Sequence, residues 1–224
     1  MSVAWNLREA GVRAGGEARF PAGRQYVSAA EYFGAYAEEI ARAAGSVDAE
    51  ALDRAAAVLL EAYARRACVF SCGNGGSASI ANHAQCDHVK GVRTTTDLLP
   101  RVMSLSTNVE LLTAVANDVG YEDVFAYQLQ SQSVPGDVLI AISSSGQSPN
   151  IVRALEWARG HGLRTVAITG FSGGAAAAVA EVSVHVDCAN YGVVEDVHQA
   201  IMHALAQYIR QSRMTPAAIS SNVF

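Results

Sequence analysis

The chain has no long apolar run, no dense basic segment and no regular cysteine pattern, and each absence removes a class of function. None of its 224 residues belongs to a stretch approaching the roughly 18 uninterrupted apolar residues that span a bilayer. The N-terminal MSVAWNLREAGVRAGGEARF has no apolar core of signal-peptide length, so a cytoplasmic protein without a membrane segment is expected. A formal net charge of -5, with no clustered Lys and Arg, speaks against a surface built to neutralise nucleic-acid phosphates. Cys68, Cys72, Cys86 and Cys188 are too irregularly spaced for a disulfide framework or a zinc ribbon. Reduced thiols are expected. No internal repeat suggests a solenoid.

What is present suits one globular unit. Half of the chain is hydrophobic, 17% is charged and there are 19 glycines, enough for a single sizeable core. Residues 1–27, with Gly15, Gly16, Pro21 and Gly23, show no sustained period and read as an N-terminal extension. Residues 28–224 read as one domain. Within it, Tyr32, Phe33, Tyr36 and Ile40 recur at helical spacing over 28–44, and a second helix is expected over 48–66, which together make a helical hairpin.

The pattern then changes. ACVFS (67–71), RVMSLS (101–106), DVLIAIS (137–143), RTVAIT (164–169) and VSVHV (182–186) are short apolar runs separated by helical stretches expected near 77–90, 108–117, 121–133, 148–161 and 192–213. That order predicts an α/β fold with a five-stranded, mainly parallel sheet flanked by helices. Four runs are continuously apolar, as in strands covered on both faces, whereas VSVHV alternates and suits an edge.

In such a sheet ligands sit at the carboxyl ends of strands. The first strand is followed by Cys72-Gly73-Asn74-Gly75-Gly76-Ser77, whose glycines let backbone N–H groups approach an anion at a helix start. The third is followed by Ser144-Ser145-Gly146-Gln147-Ser148-Pro149, where Ser143, Ser144, Ser145 and Ser148 offer hydroxyls and Pro149 suits a first helical turn. Neither loop has the Walker A lysine or the G-x-G-x-x-G spacing, which weakens nucleotide readings. Either alone can be a tight turn. The two together favour a phosphate or sugar ligand.

Polar groups also recur on the flanking helices. His83 and Asp87 are four apart and share a face; an imidazole and a carboxylate can move protons or hold a metal, or form an ordinary surface contact. Glu195, Asp196, His198 and His203 share a helix with Val194, Val197, Ile201, Leu205 and Ile209, and exposed polar positions are the simplest reading for each. Asn117-Asp118 can be a helix stop.

Taken in order, SCGNGGSASIANH (71–83), Asn117-Asp118, ISSSGQS (142–148) and EDVHQAIMH (195–203) resemble the phosphoheptose isomerase family of sugar isomerase (SIS) domains. The likeness runs from about Ala30 to Arg213 and implies that residues 28–224 form a single SIS domain. It implies conversion of sedoheptulose 7-phosphate to D-glycero-D-manno-heptose 7-phosphate, a ketose-to-aldose isomerisation through an enediol. It further implies that Asn74, Gly75, Gly76 and Ser77, with Asn117 and Asp118, contact substrate, and that Ser143, Ser144, Ser145 and Ser148 hold phosphate. His83, Asp87, Glu195 and His203 would bind zinc, with Asp87, His203 and Glu195 catalytic. Family members commonly form homotetramers.

Two positions depart from the family pattern. Asp87 stands where these isomerases carry Glu, and Glu195 where they carry Gln. Losing one methylene withdraws the first carboxylate by roughly 1.5 Å, a displacement that costs on the order of 100-fold unless something compensates. Glu195 is the candidate to restore that reach. The other functional class is a non-catalytic phosphosugar- or protein-binding module resembling the SIS relative that associates with the bacterial initiator DnaA.

Overall fold

A computed structural model of the chain describes residues 20, 21 and 23–223. Most of the expected extension, residues 1–19 and 22, lies outside the described residues. Phe20 belongs to the domain rather than to a loose arm: its ring meets Tyr32 and Tyr36 edge-on, at centroid distances of 5.1 and 5.8 Å.

The helical hairpin is α1 (Ala29–Ala44) and α2 (Ala49–Ala64). Each starts at a side-chain cap, Ser28 accepting from the Glu31 amide and Asp48 from the Glu50 amide, which satisfies donors that a first turn leaves free. Five strands follow: β1 (Cys68–Gly73), β2 (Arg101–Ser104), β3 (Val138–Ser143), β4 (Arg164–Thr169) and β5 (Val182–His185). They form one sheet in the order β2-β1-β3-β4-β5, with every pairing parallel.

Side chains alternate across this sheet as pleating demands. Val69, Ile140, Ile142, Val166 and Ile168 face a core built with α2 and α8 (Tyr191–Gln211), while Phe70, Cys72, Leu139, Ala141 and Ala167 face a second core on the opposite side. That second core includes residues of α4 (Val109–Asp118), α5 (Ala126–Gln132), α6 (Pro149–Gly160) and α7 (Gly174–Val179). Asp137, almost fully buried, ties the amino ends of two strands together by accepting from the Cys68 amide at 2.7 Å and the Val134 amide at 2.9 Å.

Some expectations change in detail. VSVHV is indeed an edge strand, but so is β2, whose Arg101 and Met103 are exposed and which therefore alternates rather than being covered on both faces. The helix expected over 121–133 is divided into a 3₁₀ turn at Tyr121–Asp123 and α5. The helix expected over 77–90 is α3 (Gly76–Cys86), which passes directly into a π-helical turn at Asp87–Val92. Two short helices, α7 and α9 (Pro216–Ser221), carry no periodic apolar signal long enough to announce them. Among the described residues no helix is long and apolar enough to cross a membrane.

Candidate functional site

The register of β1 on β3 pairs Gly73 with Ile142, so the glycine and serine loops leave adjacent strands side by side. Between them lies a pocket of about 150 Å³ lined by Asn74, Ser77, Ile142, Ser143, Ser144, Ser145, Ser148, Tyr191 and Glu195. Ser148 is the N-cap of α6 and Pro149 its first residue, so the positive end of the helix dipole meets the serine loop. The Ser143 hydroxyl accepts from the Gly146 amide and the Ser145 hydroxyl from the Gln147 amide; both keep a proton to donate. Ser144 differs. Its hydroxyl is buried without any hydrogen-bond partner, a costly state for a polar group unless a ligand satisfies it.

The glycine loop is braced from the serine-loop side. Asn74 and Asn150 exchange two amide hydrogen bonds, each 2.9 Å, and the Tyr121 hydroxyl donates to Asn74 Oδ1 at 2.9 Å. Asn150 is 1% exposed. Asn150, Tyr121 and Tyr191 carry no signal in the sequence beyond their nearness to the loops. Gly75, at φ +54, takes a backbone conformation that L side chains rarely adopt, and a Cβ on Gly76 would collide with the Glu195 carboxylate. Glu195 therefore lies over the start of α3, a helix without a side-chain cap. Burial, and then Asp196, raise its pKa above the usual carboxylate value.

About two turns further along α3 and α8, His83, Asp87 and His203 bring one ligand atom each to within 4.8 Å of one another. His83 Nε2 is 3.2 Å from Asp87 Oδ1 and His203 Nδ1 is 2.9 Å from Asp87 Oδ2. That second approach is not a hydrogen bond: Asp87 Oδ2 is buried and no N–H points at it. Two imidazoles and a carboxylate converging around an unsatisfied oxygen fit a divalent metal ion, and this donor set leaves room for a further ligand. The helix changes pitch at Asp87, and π-helical insertions often mark functional positions.

Other candidates fall elsewhere. Glu195 is not in the converging group; it lines the loop pocket. Asn117 and Asp118 end α4, exposed and bonded to each other at 2.7 Å, and are not among the pocket's lining residues. Gly75 and Gly76 shape the glycine loop without lining the pocket. Asp196 accepts a 2.6 Å hydrogen bond from Tyr36, joining α1 to α8. His198 is not an exposed polar position but fully buried among the apolar residues of α8, its ring near the Thr169 backbone without an aligned hydrogen bond.

The chain is similar to known proteins in sequence and fold. The SIS domain family model matches residues 31–170. A phosphoheptose isomerase of Nitratidesulfovibrio vulgaris is 40% identical over 139 residues, which are 62% of this chain and 66% of that protein, slightly less than two thirds of its length. One from Alteromonas mediterranea is 35% identical over 173 residues, 76% of this chain and 87% of that protein. The structure of the phosphoheptose isomerase from Neisseria gonorrhoeae superposes with a TM-score of 0.75 at 29% identity, covering 82% of this chain and all of that one. With its glycine and serine loops on adjacent strands and this coverage of its relatives, the chain belongs to the phosphoheptose isomerase family of SIS-domain proteins.

Proposed function

We propose that this chain isomerises a phosphorylated ketose to the corresponding aldose, with sedoheptulose 7-phosphate as substrate and D-glycero-D-manno-heptose 7-phosphate as product. The observation that carries the proposal is the buried, unpartnered Ser144 hydroxyl at the bottom of a serine loop that caps a helix. A phosphate oxygen would satisfy it, with Ser143, Ser145, Ser148 and the positive end of the α6 dipole completing the cradle. Relatives named phosphoheptose isomerase supply the sugar's length. Spacing is compatible with that length: Glu195 at the pocket and His203 at the second cluster are eight residues apart on α8, about 12 Å of helix rise. A seven-carbon chain with its phosphate extends roughly 10 Å at C–C bonds of about 1.5 Å.

With phosphate anchored there, the carbonyl end of the sugar reaches His83, Asp87 and His203. The Asp87 carboxylate takes a proton from C1 of the ketose, exchanges it with solvent and delivers one to C2; the proton leaving the oxygen on C1 reaches the oxygen on C2 through His203 Nδ1 where no cation holds that nitrogen, and through water where one does. Asn74 and Glu195 orient hydroxyls of the sugar chain. Zinc is the proposed cation for His83, Asp87 and His203, where it would supply positive charge against the oxygen that becomes anionic. The convergence of these three groups is unnecessary for a module that only binds, which favours the enzyme. A homotetramer is proposed too: Phe33 and Tyr32 on α1 are exposed apolar surface, and solution mass measurement reads the assembly. A phosphorylated sugar is a metabolite of the cell interior, which supports the expected cytoplasmic location.

The test is incubation with sedoheptulose 7-phosphate in D2O, followed by NMR. Aldose heptose phosphate carrying deuterium at C2 is the expected product. No turnover with added zinc would sink this substrate.

A further inference from the structure

The second ring nitrogen of His203 has a partner that the proposed chemistry does not use. His203 Nε2 lies 3.0 Å from the amide nitrogen of Gln199, Nε2, one turn earlier on α8. A half-turn of the amide about its last bond exchanges nitrogen for oxygen at that place, so both orientations are open to it. With the nitrogen toward the ring, it donates to Nε2, so a neutral imidazole carries its proton on Nδ1. That proton would then sit beside Asp87 Oδ2, 2.9 Å away, yet the ring is not oriented to give that oxygen a hydrogen bond, and Oδ2 stays buried and unsatisfied. With the oxygen toward the ring, Nε2–H donates to Gln199 and Nδ1 is left with a lone pair. Nδ1 and Asp87 Oδ2 are then two electron-pair donors facing one gap, joined by His83 across it, with the His83 and His203 rings 5.0 Å apart and nearly perpendicular. This second state accounts for the unsatisfied oxygen, since a cation satisfies both donors at once.

From this geometry we infer that Gln199 is a positioning residue for the metal group: its amide oxygen accepts from His203 Nε2–H, which fixes the ring orientation and keeps Nδ1 free to bind a divalent cation. The sequence places Gln199 and His203 four residues apart on one helix face, the spacing at which side chains on a helix meet. Hydrogen bonds to the far nitrogen of a ligating histidine commonly set its tautomer and raise its affinity for metal. The inference rests on the cation proposed for His83, Asp87 and His203 but not on any isomerisation, so its test needs no sugar.

The experiment measures zinc affinity by competition with a chromophoric chelator for the wild type, Gln199→Leu, Gln199→Met and Gln199→Glu. Long-range ¹H–¹⁵N spectra of the metal-free proteins report the His203 tautomer alongside. Removing the acceptor in the Leu and Met variants is expected to weaken zinc binding about 10- to 100-fold and to shift His203 away from the Nε2–H tautomer. The Glu variant keeps an acceptor and is expected to bind zinc at least as tightly as wild type, and all the metal-free proteins should melt together. Wild-type affinity in both Leu and Met variants, or equal loss in the Glu variant, would overturn the inference. Should the wild type bind no zinc, the tautomer decides: Nε2–H in the wild type and its loss in the Leu variant uphold the role of Gln199, and Nδ1–H in the wild type overturns it.

Discussion

The carboxylate of Glu195 occupies the space that a side chain at Gly76 would need. This contact joins the first turn of α3 to the second turn of α8 beside the loop pocket. Gly76→Ala must therefore push Glu195 aside or strain α3, and a loss of about 1–3 kcal/mol is expected from overpacking. In Gly76→Ala/Glu195→Ala the obstruction is gone, so chemical denaturation should show most of that loss recovered. Equal destabilisation of the single and double variants would show that the clash is with something other than Glu195.

Ser144 separates binding from stability. Its hydroxyl is buried with nothing to bond in the free protein, so Ser144→Ala is expected to leave the melting temperature unchanged or slightly raised. A hydrogen bond to a charged group contributes about 1.5–3 kcal/mol, so losing the one to phosphate should raise KM for the sugar phosphate roughly 10- to 100-fold. Steady-state kinetics and thermal melts on the same preparation test both halves.

Asn74 and Asn150 should act as one unit. Cutting Asn74 leaves the buried Asn150 amide unsatisfied, at a cost of about 1–3 kcal/mol; cutting Asn150 leaves the half-buried Asn74 only its bond from Tyr121, and removing both costs little more than removing one. A double-mutant cycle of Asn74→Ala and Asn150→Ala is expected to give a coupling of about 0.5–3 kcal/mol. Strict additivity in urea denaturation would mean that the two loops are braced independently.

His198 makes stability depend on pH. Burial first, with a smaller contribution from His185, pushes its pKa down from 6.5 to about 4, so the ring is neutral in the folded chain. Between those values the unfolded chain binds a proton that the folded chain does not, and stability rises with pH there. The contribution is fully present above about pH 6.5 and is lost on acidification toward pH 4. Melting temperatures measured from pH 7 to pH 4.5 should fall less steeply in His198→Met than in the wild type; parallel curves would assign the acid sensitivity to other groups.

Much of this site is legible along the chain because its parts are local. A glycine or serine loop directly after an apolar strand is a contiguous pattern, and alternation, capping residues and helix spacing are likewise set by neighbours in sequence. His83 and Asp87 could be paired because four residues return a helix to the same face. Asn150 could not be singled out: a buried amide matters only through its partner, and Asn74 is 76 residues away.

The α/β order, both loops and the identity of the chemical groups could be read along the chain, since these follow from short-range periodicity, from the backbone freedom of glycine and from the fixed φ of proline. Their division of labour came from how the helices pack. Packing α8 along α3 carries Glu195 to the loop pocket and His203 to Asp87, where the π-helical turn begins. The same packing buries His198 and sets Gln199 behind His203. Such outcomes depend on which faces of two distant helices meet, a choice made by the whole apolar core rather than by any segment that contributes to it.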